Sequence, residues 1–329
     1  MNDTRYKKRK KKGRLRIKRL IMIIVIFTLV PVSSYFAFVA YKTYEAAEKS
    51  YNELERGNQS KLREKEVKIN TDPVSILLVG LENYTTNYTG GRTDTLMVAT
   101  FNPELKTMKL LSIPRDTYVY IEAEGKNDKI THAYGAGGRD ETIRTVEDFL
   151  DIPIDYYVEV NFDGFKEIVD EVGGIEVEVP FDFTEWTDTH PRKQLSFEEG
   201  SATLDGLEAL AYARMRKQDP RGDFGRNDRQ KEVIKALVDK LSSPSNVLKI
   251  DELASHLGEN VQTNMKMSDP LYFFKKYKGF SSNNIETLRF DGENSTINGI
   301  YYFEADEQSL ASVKSDLQTH LEYQGINDN

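Results

Sequence analysis

The sequence contains no cysteine, and this absence excludes several kinds of site. A chain without thiols has no disulfides, iron–sulfur clusters, thiolate zinc sites or cysteine nucleophiles. Histidine is nearly as scarce, with four residues in the chain. They lie far apart in the sequence and show no metal-ligand spacing. The P-loop, H-E-x-x-H, G-x-S-x-G and EF-hand motifs are also missing. These common classes of catalytic and metal site are therefore excluded.

Basic residues are scarce outside the N-terminus. Residues 1–19 contain eleven Lys and Arg side chains and a single acidic residue, Asp3. The rest of the chain holds 34 basic and 52 acidic side chains, so the body of the protein is acidic. An acidic body argues against nucleic acid as a partner, because binding to phosphate backbones needs a basic face. The hydrophobic content of 39% nevertheless predicts a folded core.

One long hydrophobic run follows the basic block. Residues 20–41 include no charged side chain, and 22 helical residues are enough to cross ~30 Å of hydrocarbon. The run is longer than a cleaved signal peptide and lacks a clear A-x-A-like exit, so we predict a transmembrane signal-anchor. A buried core helix is the less favoured alternative. The positive-inside rule makes residues 1–19 a cytoplasmic tail and places the C-terminal domain outside the cell membrane, in single-pass type II topology.

The remaining sequence alternates strand and helix patterns. Residues 42–72 are polar and charged, which indicates a juxtamembrane stalk. Apolar runs bounded by turn residues predict strands at 75–81, 94–101, 107–113, 156–160, 175–179 and 285–290. Amphipathic or capped segments predict helices at 142–150, 162–172, 206–213, 226–241, 247–257, 270–277 and 307–321. We therefore predict one globular domain over residues 73–329, of α/β or α+β class.

Five arginines lie within 16 residues of one another: Arg214, Arg216, Arg221, Arg226 and Arg229. The first two share a face on an extended segment, and Arg226, Arg229 and Gln230 share one on a helix, with a Pro/Gly turn and Asp223 between the two faces. The hydrogen-bond donors of a guanidinium group have a fixed geometry that matches phosphate oxygens. A helix beginning near Arg226 adds the positive end of its dipole to the positive charge of the arginines. The pattern predicts a site for a multiply charged anion. A solvated, salt-bridged face is the alternative, disfavoured because no run of carboxylates compensates the arginines.

A second candidate site lies around the first two predicted strands. Glu82 follows the first strand, Asp94 opens the second, and Arg92 stands beside them. If the strands pair as a hairpin, the carboxylates approach each other, and such a pair suits Mg²⁺ shared with a phosphate. Ordinary loop acids are the alternative. Arg115 and Asp116 follow Pro114 at the end of the third predicted strand. The pattern favours a functional role and a structural salt bridge within the turn about equally.

Four segments, 91–119, 128–138, 160–180 and 204–234, together resemble the LytR-CpsA-Psr family of cell-wall glycopolymer transferases. The resemblance covers about residues 74–242 and is nearest to the Gram-positive enzymes that attach wall teichoic acid to peptidoglycan. It implies a single α/β/α domain with a central mixed sheet and a tunnel for a polyprenyl chain.

The resemblance also implies a set of site residues. Mg²⁺, or Mn²⁺, would lie near Asp94 and Glu82, although many members have Asp at the position of Glu82 and Arg at that of Tyr84. Pyrophosphate would be held by Arg92, Arg115, Arg214, Arg216 and Arg226, with Asp223 and Gln230 nearby. Arg115 would orient or neutralise phosphate. The resemblance does not identify the base, and on chemical type alone Asp116 and Asp223 are the two candidates.

The function implied is that of a membrane-anchored phosphotransferase. It would move an anionic glycopolymer from a polyprenyl-pyrophosphate carrier to a peptidoglycan sugar hydroxyl. Two alternatives stay open. Water as the acceptor would make the protein a polyprenyl-pyrophosphate hydrolase, and loss of catalysis would make it a cell-envelope regulator. The cytoplasmic tail is too short to fold a DNA-binding helix-turn-helix, which disfavours the regulator.

Overall fold

The computed structural model describes residues 48–82, 93–243, 246, 260–266, 269 and 279–325, which belong to a compact unit spanning Ala46–Asn329. The predicted cytoplasmic tail and signal-anchor lie outside these residues, as do Arg92, Tyr84 and both predicted helices at 247–257 and 270–277. Within the described residues, no helix is both long and apolar enough to cross a membrane.

The strands of the described residues are β1 (Val74–Leu81), β2 (Thr93–Asn102), β3 (Thr107–Ser112), β4 (Tyr118–Ile121), β5 (Lys126–Lys129), β6 (Tyr156–Asn161), β7 (Ile175–Val179), β8 (Phe183–Trp186), β9 (Gln194–Phe197), β10 (Gly200–Leu204), β11 (Val261–Thr263), β12 (Ile285–Leu288), β13 (Gly292–Ile297) and β14 (Ile300–Ala305). The α-helices are α1 (Ala133–Leu150), α2 (Phe162–Glu171), α3 (Gly206–Arg214), α4 (Asp223–Leu241) and α5 (Glu307–His320).

Six strands form the central sheet in the order β11-β6-β1-β2-β3-β12. β1, β2 and β3 follow one another as antiparallel neighbours, while β6 joins β1 and β12 joins β3 in parallel. A parallel partner needs a crossover, and α1 lies in the segment that leads from β3 to β6. The predicted mixed α/β domain with a central mixed sheet is therefore confirmed.

Helices cover both faces of the sheet. Successive side chains of a strand point to opposite faces, so Leu77 and Val79 of β1 face α1 and α5, while Ile76 faces the side packed by Ile234 and Val238 of α4. A separate apolar cluster joins α2, α3 and the inner face of α4 to the β7–β10 and β8–β9 pairs. Two of the three apolar clusters thus belong to the sheet, and the third supports the α3–α4 region.

Two helix boundaries differ from the sequence expectation, and three hairpins were not expected. α1 begins at Ala133, earlier than predicted, and leaves helical geometry at Gly137 and Gly138. α4 begins at Asp223, three residues before Arg226. The hairpins β4–β5, β8–β9 and β13–β14 were not predicted, because each contains a short strand rich in polar residues: β5, β9 and β13.

Residues 48–72, expected to form most of the stalk, instead pack onto the domain. Leu54, Val67 and Ile69 are buried in its apolar clusters. Arg63 Nη2 lies 2.8 Å from the buried carboxylate of Asp155, at the start of β6. Buried ion pairs of this kind are costly to break, because one charge would then be left without a partner. This segment is therefore part of the folded domain.

Candidate anion-binding site

The candidate site is assembled from both halves of the chain. β1 and β2 pair with Leu81 opposite Thr93, so the two ends of the intervening loop are adjacent, as the hairpin hypothesis requires. The pairing shifts register between Gly80 and Leu81, directly opposite Asp94. Such an irregularity bends a strand and redirects a side chain. It occurs here at the carboxylate that the sequence singles out.

Each carboxylate of the predicted metal pair faces an arginine. Asp94 Oδ1 lies 2.7 Å from Arg115 Nη1, in the loop that follows β3. Glu82 Oε1 lies 3.9 Å from Arg214 Nη2, at the end of α3. Arg214 also stacks on Phe162, with its guanidinium carbon 4.8 Å from the ring centre. The structure therefore connects the β1–β2 end of the sheet with the arginine segment, which sequence spacing alone left as two separate sites.

Asp116 has a different partner from the one considered in the sequence analysis. Its Oδ1 accepts a hydrogen bond from Lys129 Nζ at 2.6 Å, while Arg115 pairs with Asp94. A turn salt bridge between Arg115 and Asp116 is therefore not the arrangement observed. The two neighbouring residues engage different charges, and Arg115 belongs to the candidate site.

The start of α4 carries the most unusual side chain of the region. Arg226 is only 6% exposed, and its Nε and Nη2 have no hydrogen-bond partner among the described residues. Nη2 lies 2.7 Å from Asp223 Oδ1, a close ionic contact without hydrogen-bond alignment. Burial lowers the pKa of Arg226; Asp223 opposes this shift, while Arg115 and Arg216 reinforce it. A buried cation with unsatisfied donors is costly unless an anion can pair with it.

Two glycines shape the start of α4. Gly222, the residue before the helix, has φ 58° in the left-handed region, which side chains other than glycine rarely adopt. At Gly225, an added Cβ would overlap the carboxylate of Asp219 at 1.7 Å. Because Gly222 is the residue before the helix, Asp223 occupies the first helical position, where the helix dipole favours an anionic group. Its Oδ2 lies 3.6 Å from Arg216 Nη1, so Asp223 stands between Arg216 and Arg226.

The structure separates the five clustered arginines into two groups. Arg229 points inward, where Nη1 pairs with Asp219 at 2.5 Å and Nε donates to the carbonyl of Tyr212. Arg221 is exposed and pairs with Asp228 at 2.8 Å. The sequence has no compensating run of carboxylates, but single aspartates still pair with three of the arginines: Asp219 with Arg229, Asp223 with Arg226 and Asp228 with Arg221. Arg214, Arg216 and Arg226 are the members that gather around the site with Arg115.

Gln230 lies on α4 one turn beyond Arg226. It is buried, and its Nε2 donates to the carbonyl of Ala213, at the end of α3, over a long 3.4 Å. This contact ties α4 to the residue preceding Arg214. Gln230 therefore neighbours the site, with its side chain committed to the helix packing.

Sequence reasoning missed the wall formed by the β13–β14 hairpin. The backbone N–H of Phe303 donates to the carbonyl of Asp116 at 2.8 Å, and its ring meets Phe224 edge-on at 5.7 Å between centroids. Tyr301 of the same strand has a raised pKa, because of burial and the nearby charges of Asp116 and Asp223. The only sequence signal was a run of aromatic residues at 301–303, far from the arginines.

The residues present suit Mg²⁺ in their donor type. Asp94 and Glu82 offer hard carboxylate oxygens, the ligands that Mg²⁺ prefers alongside water and phosphate oxygens. Across the described part of the chain, no cluster of three or more His, Asp or Glu side chains could hold a metal by itself. A cation at this position would therefore need oxygens from a bound phosphate or water.

Comparisons with known proteins agree on one family. The LytR_cpsA_psr family model matches residues 37–319. The chain is 49% identical, over 94% of its length and 80% of the relative, to the polyisoprenyl-teichoic acid–peptidoglycan teichoic acid transferase TagV of Bacillus subtilis. It is 41% identical, over 93% of this chain and 99% of the relative, to the similarly named TagU of Halalkalibacterium halodurans.

Solved structures give the same result. The crystal structure of B. subtilis TagV matches with a TM-score of 0.70 and 50% identity, covering 77% of this chain and 99% of that one. A structure described as TagT bound to LIIa-WTA also matches with a TM-score of 0.70, at 37% identity, covering 83% and 100% of the two chains. The likeness extends over the whole length of both solved chains or nearly so.

Proposed function

The chain belongs to the LytR-CpsA-Psr family, and on that premise we propose that it attaches wall teichoic acid to peptidoglycan. The donor is the polymer on a polyprenyl-pyrophosphate carrier, and the acceptor is a sugar hydroxyl of peptidoglycan. The observation that carries the proposal is the buried guanidinium of Arg226, which has unsatisfied donors and lies near Arg115 and Arg216. The names of the curated relatives support the same activity.

The reaction needs charge neutralisation more than covalent chemistry from the protein. The acceptor hydroxyl attacks the phosphorus that bears the polymer, a new P–O bond forms, and the bond to the bridging oxygen breaks. The electron pair of that bond leaves with polyprenyl phosphate. Arg226 and Arg115, with Arg214 and Arg216, hold the pyrophosphate and offset the negative charge that grows on its oxygens.

The hydroxyl proton requires an acceptor, and two carboxylates are candidates. Asp223 lies between Arg216 and Arg226, so it is next to the proposed phosphate position. Asp116 is engaged by Lys129. Asp223 also orients both arginines, so its loss would affect phosphate binding as well as proton transfer.

Asp94 and Glu82 are the residues that would hold Mg²⁺, or Mn²⁺ in its place. When bound, the cation supplies positive charge to phosphate oxygens and so acts as a Lewis acid. Arg115 is the present partner of Asp94, and that pairing keeps the carboxylate oriented toward the site.

The protein is anchored in the cell membrane by residues 20–41, with the domain on the outer side. The absence of charge across that run and the basic tail before it support this arrangement. A protease added to intact protoplasts is then expected to digest the domain. Protection of the domain would contradict the orientation.

The activity can be tested with the full-length protein in vesicles. Lipid-linked teichoic acid precursor, peptidoglycan and Mg²⁺ are supplied, and the product is identified by mass spectrometry. A polymer joined to glycan through a phosphodiester supports the proposal, whereas free polymer phosphate identifies the hydrolase alternative. Arg226→Lys serves as the site variant and Arg221→Lys as the matched control. A chelator arm, restored by added Mg²⁺, tests the metal dependence separately.

A further inference from the structure

The β13–β14 hairpin is attached to the site by its buried strand face. Phe303 bridges to Thr117 and donates its backbone N–H to Asp116, while its ring packs on Phe224, the residue after Asp223. Gly292 makes room for this ring, since a Cβ there would lie 2.5 Å from Phe303 Cζ. The hairpin is thus held beside both the loop that carries Arg115 and the start of α4.

Tyr301 extends this strand face toward solvent. Alternation along β14 puts it on the same face as Phe303, but it is 43% exposed while Phe303 is buried. Its hydroxyl donates to Asn294 Oδ1 on the neighbouring strand at 2.7 Å, which limits rotation of the ring. An aromatic ring that is held in place and partly exposed presents a preorganised flat surface for binding.

Charged groups surround this ring on the side of the site. Lys129 Nζ lies 5.8 Å from the ring centre and is itself paired with Asp116. Asp223 and Arg216 are close enough to influence Tyr301 electrostatically. An apolar ring edged by hydrogen-bonding groups matches a pyranose, whose C–H face packs on aromatic carbon while its hydroxyl groups meet polar neighbours.

We propose that Tyr301 is a sugar-binding platform at the edge of the arginine site. This inference rests on the proposed function, in which two sugars flank the reacting phosphorus. The pyranose is either the first sugar of the donor polymer or the acceptor sugar of peptidoglycan. The chemistry of recognition is the same for both, and kinetic measurements distinguish them.

The test compares Tyr301→Ala with Tyr301→Phe in the full-length protein. We expect the Ala variant to raise one KM about three- to tenfold, equivalent to about 0.7–1.4 kcal/mol. The Phe variant keeps the ring and should stay within about twofold of the wild type. Tyr301→Leu retains apolar bulk without a flat ring and should resemble Ala, which provides a second variant if Ala lowers the melting temperature. Trp186→Ala, on the separate β8–β9 hairpin, removes another exposed aromatic side chain as the control.

The KM that changes identifies the sugar. A rise in the KM for peptidoglycan assigns the platform to the acceptor, and a rise in the KM for the lipid-linked polymer assigns it to the donor. Unchanged values for both substrates in the Ala and Leu variants would overturn the proposal. An equal effect of Trp186→Ala would do the same, because the loss would then not be specific to this ring.

A binding measurement separates this inference from the proposed function. Saturation-transfer NMR with a soluble peptidoglycan tetrasaccharide, and in parallel with the lipid-linked polymer, requires no turnover. If the wild type binds either probe through its sugar protons and Tyr301→Ala weakens that contact, the platform holds even when no transfer product forms. Equal contacts in wild type and variant for both probes would exclude it.

Discussion

Arg226 and Arg229 lie one turn apart on α4, and both are almost completely buried. The guanidinium of Arg229 donates hydrogen bonds to the carboxylate of Asp219 and to the carbonyls of Tyr212 and Met215. Arg226 has Asp223 as an ionic neighbour, but two of its nitrogens make no hydrogen bond within the described structure. Burial alone therefore does not distinguish the two arginines. The number of satisfied donors does.

The comparison predicts opposite consequences for the two side chains. Removing Arg229 leaves the buried carboxylate of Asp219 without its main partner, which is a cost to folding. Removing Arg226 removes a buried charge whose donors the fold leaves partly unsatisfied, which is a cost to binding. Stability and activity should therefore separate along a single helix.

The largest expected effect is on stability, at Arg229. We expect Arg229→Met to lower the free energy of unfolding by about 3–5 kcal/mol, because it breaks a buried ion pair and leaves Asp219 charged. Urea unfolding can be followed through the fluorescence of Trp186, the single tryptophan, which lies on β8 beside this region. The control is Arg221→Met, which removes an exposed arginine from the same turn together with its ion pair to Asp228. A loss below about 1 kcal/mol at Arg229 would break the comparison.

His320 extends the test to a satisfied group elsewhere in the domain. Its ring nitrogens lie 2.7 and 2.9 Å from the hydroxyls of Thr100 and Thr107. Burial, with a smaller contribution from Lys109, lowers its pKa from 6.5 to about 4. Below pH 6.5 His320 becomes protonated in the unfolded chain but stays neutral in the folded one. Its contribution to the free energy of unfolding is therefore fully present above that pH and is lost progressively toward pH 4.

The expected loss from this histidine is about 3 kcal/mol over that interval, at about 1.4 kcal/mol per pKa unit. Unfolding free energies of wild type and His320→Gln should be measured between pH 7 and 4. The variant should show the weaker dependence on pH, since carboxylates titrate alike in both proteins. Parallel curves would show that His320 does not titrate as its burial indicates.

The unsatisfied member of the comparison should affect activity. We expect Arg226→Lys to lower transfer about ten- to a hundredfold, because lysine keeps the charge and loses the planar fork, and hydrogen bonds to charged groups contribute about 1.5–3 kcal/mol. Its melting temperature should remain near that of the wild type. Normal activity, or destabilisation matching that of Arg229→Met, would contradict the assignment of Arg226 to ligand binding.

The smallest effect is expected at Arg221. It is 53% exposed and pairs with Asp228 in solvent, so Arg221→Lys should change stability by less than about 1 kcal/mol and leave transfer near wild type. Parallel thermal melts and transfer assays check both. A large loss of activity would show that the site extends beyond Arg115, Arg214, Arg216 and Arg226.

Local sequence patterns carried much of the fold. β1, β2 and β3 were predicted within one or two residues, because apolar runs interrupted by Asn-Pro and Pro mark strands directly. The helix at 206–213 was predicted within one residue of its observed end, and the structure shows Asp205 as its cap, in a full capping box with Glu208. The hairpin then brought Glu82 and Asp94 to the same end of the sheet, as its turn implied.

The sequence by itself determined the family, the main sheet strands and the group of residues from which the site is drawn, since these depend on short-range pattern and residue type. Only the tertiary structure decided which buried arginine keeps unsatisfied donors. Asp219 reaches Arg229 because the 215–222 turn folds back on α4, and Phe303 brings Tyr301 to the site from a distant hairpin. Hydrogen bonds form between groups that are close in space. Arginines of the same type and similar position in the sequence can therefore have different partners, because residue type does not specify which groups lie nearby in the fold.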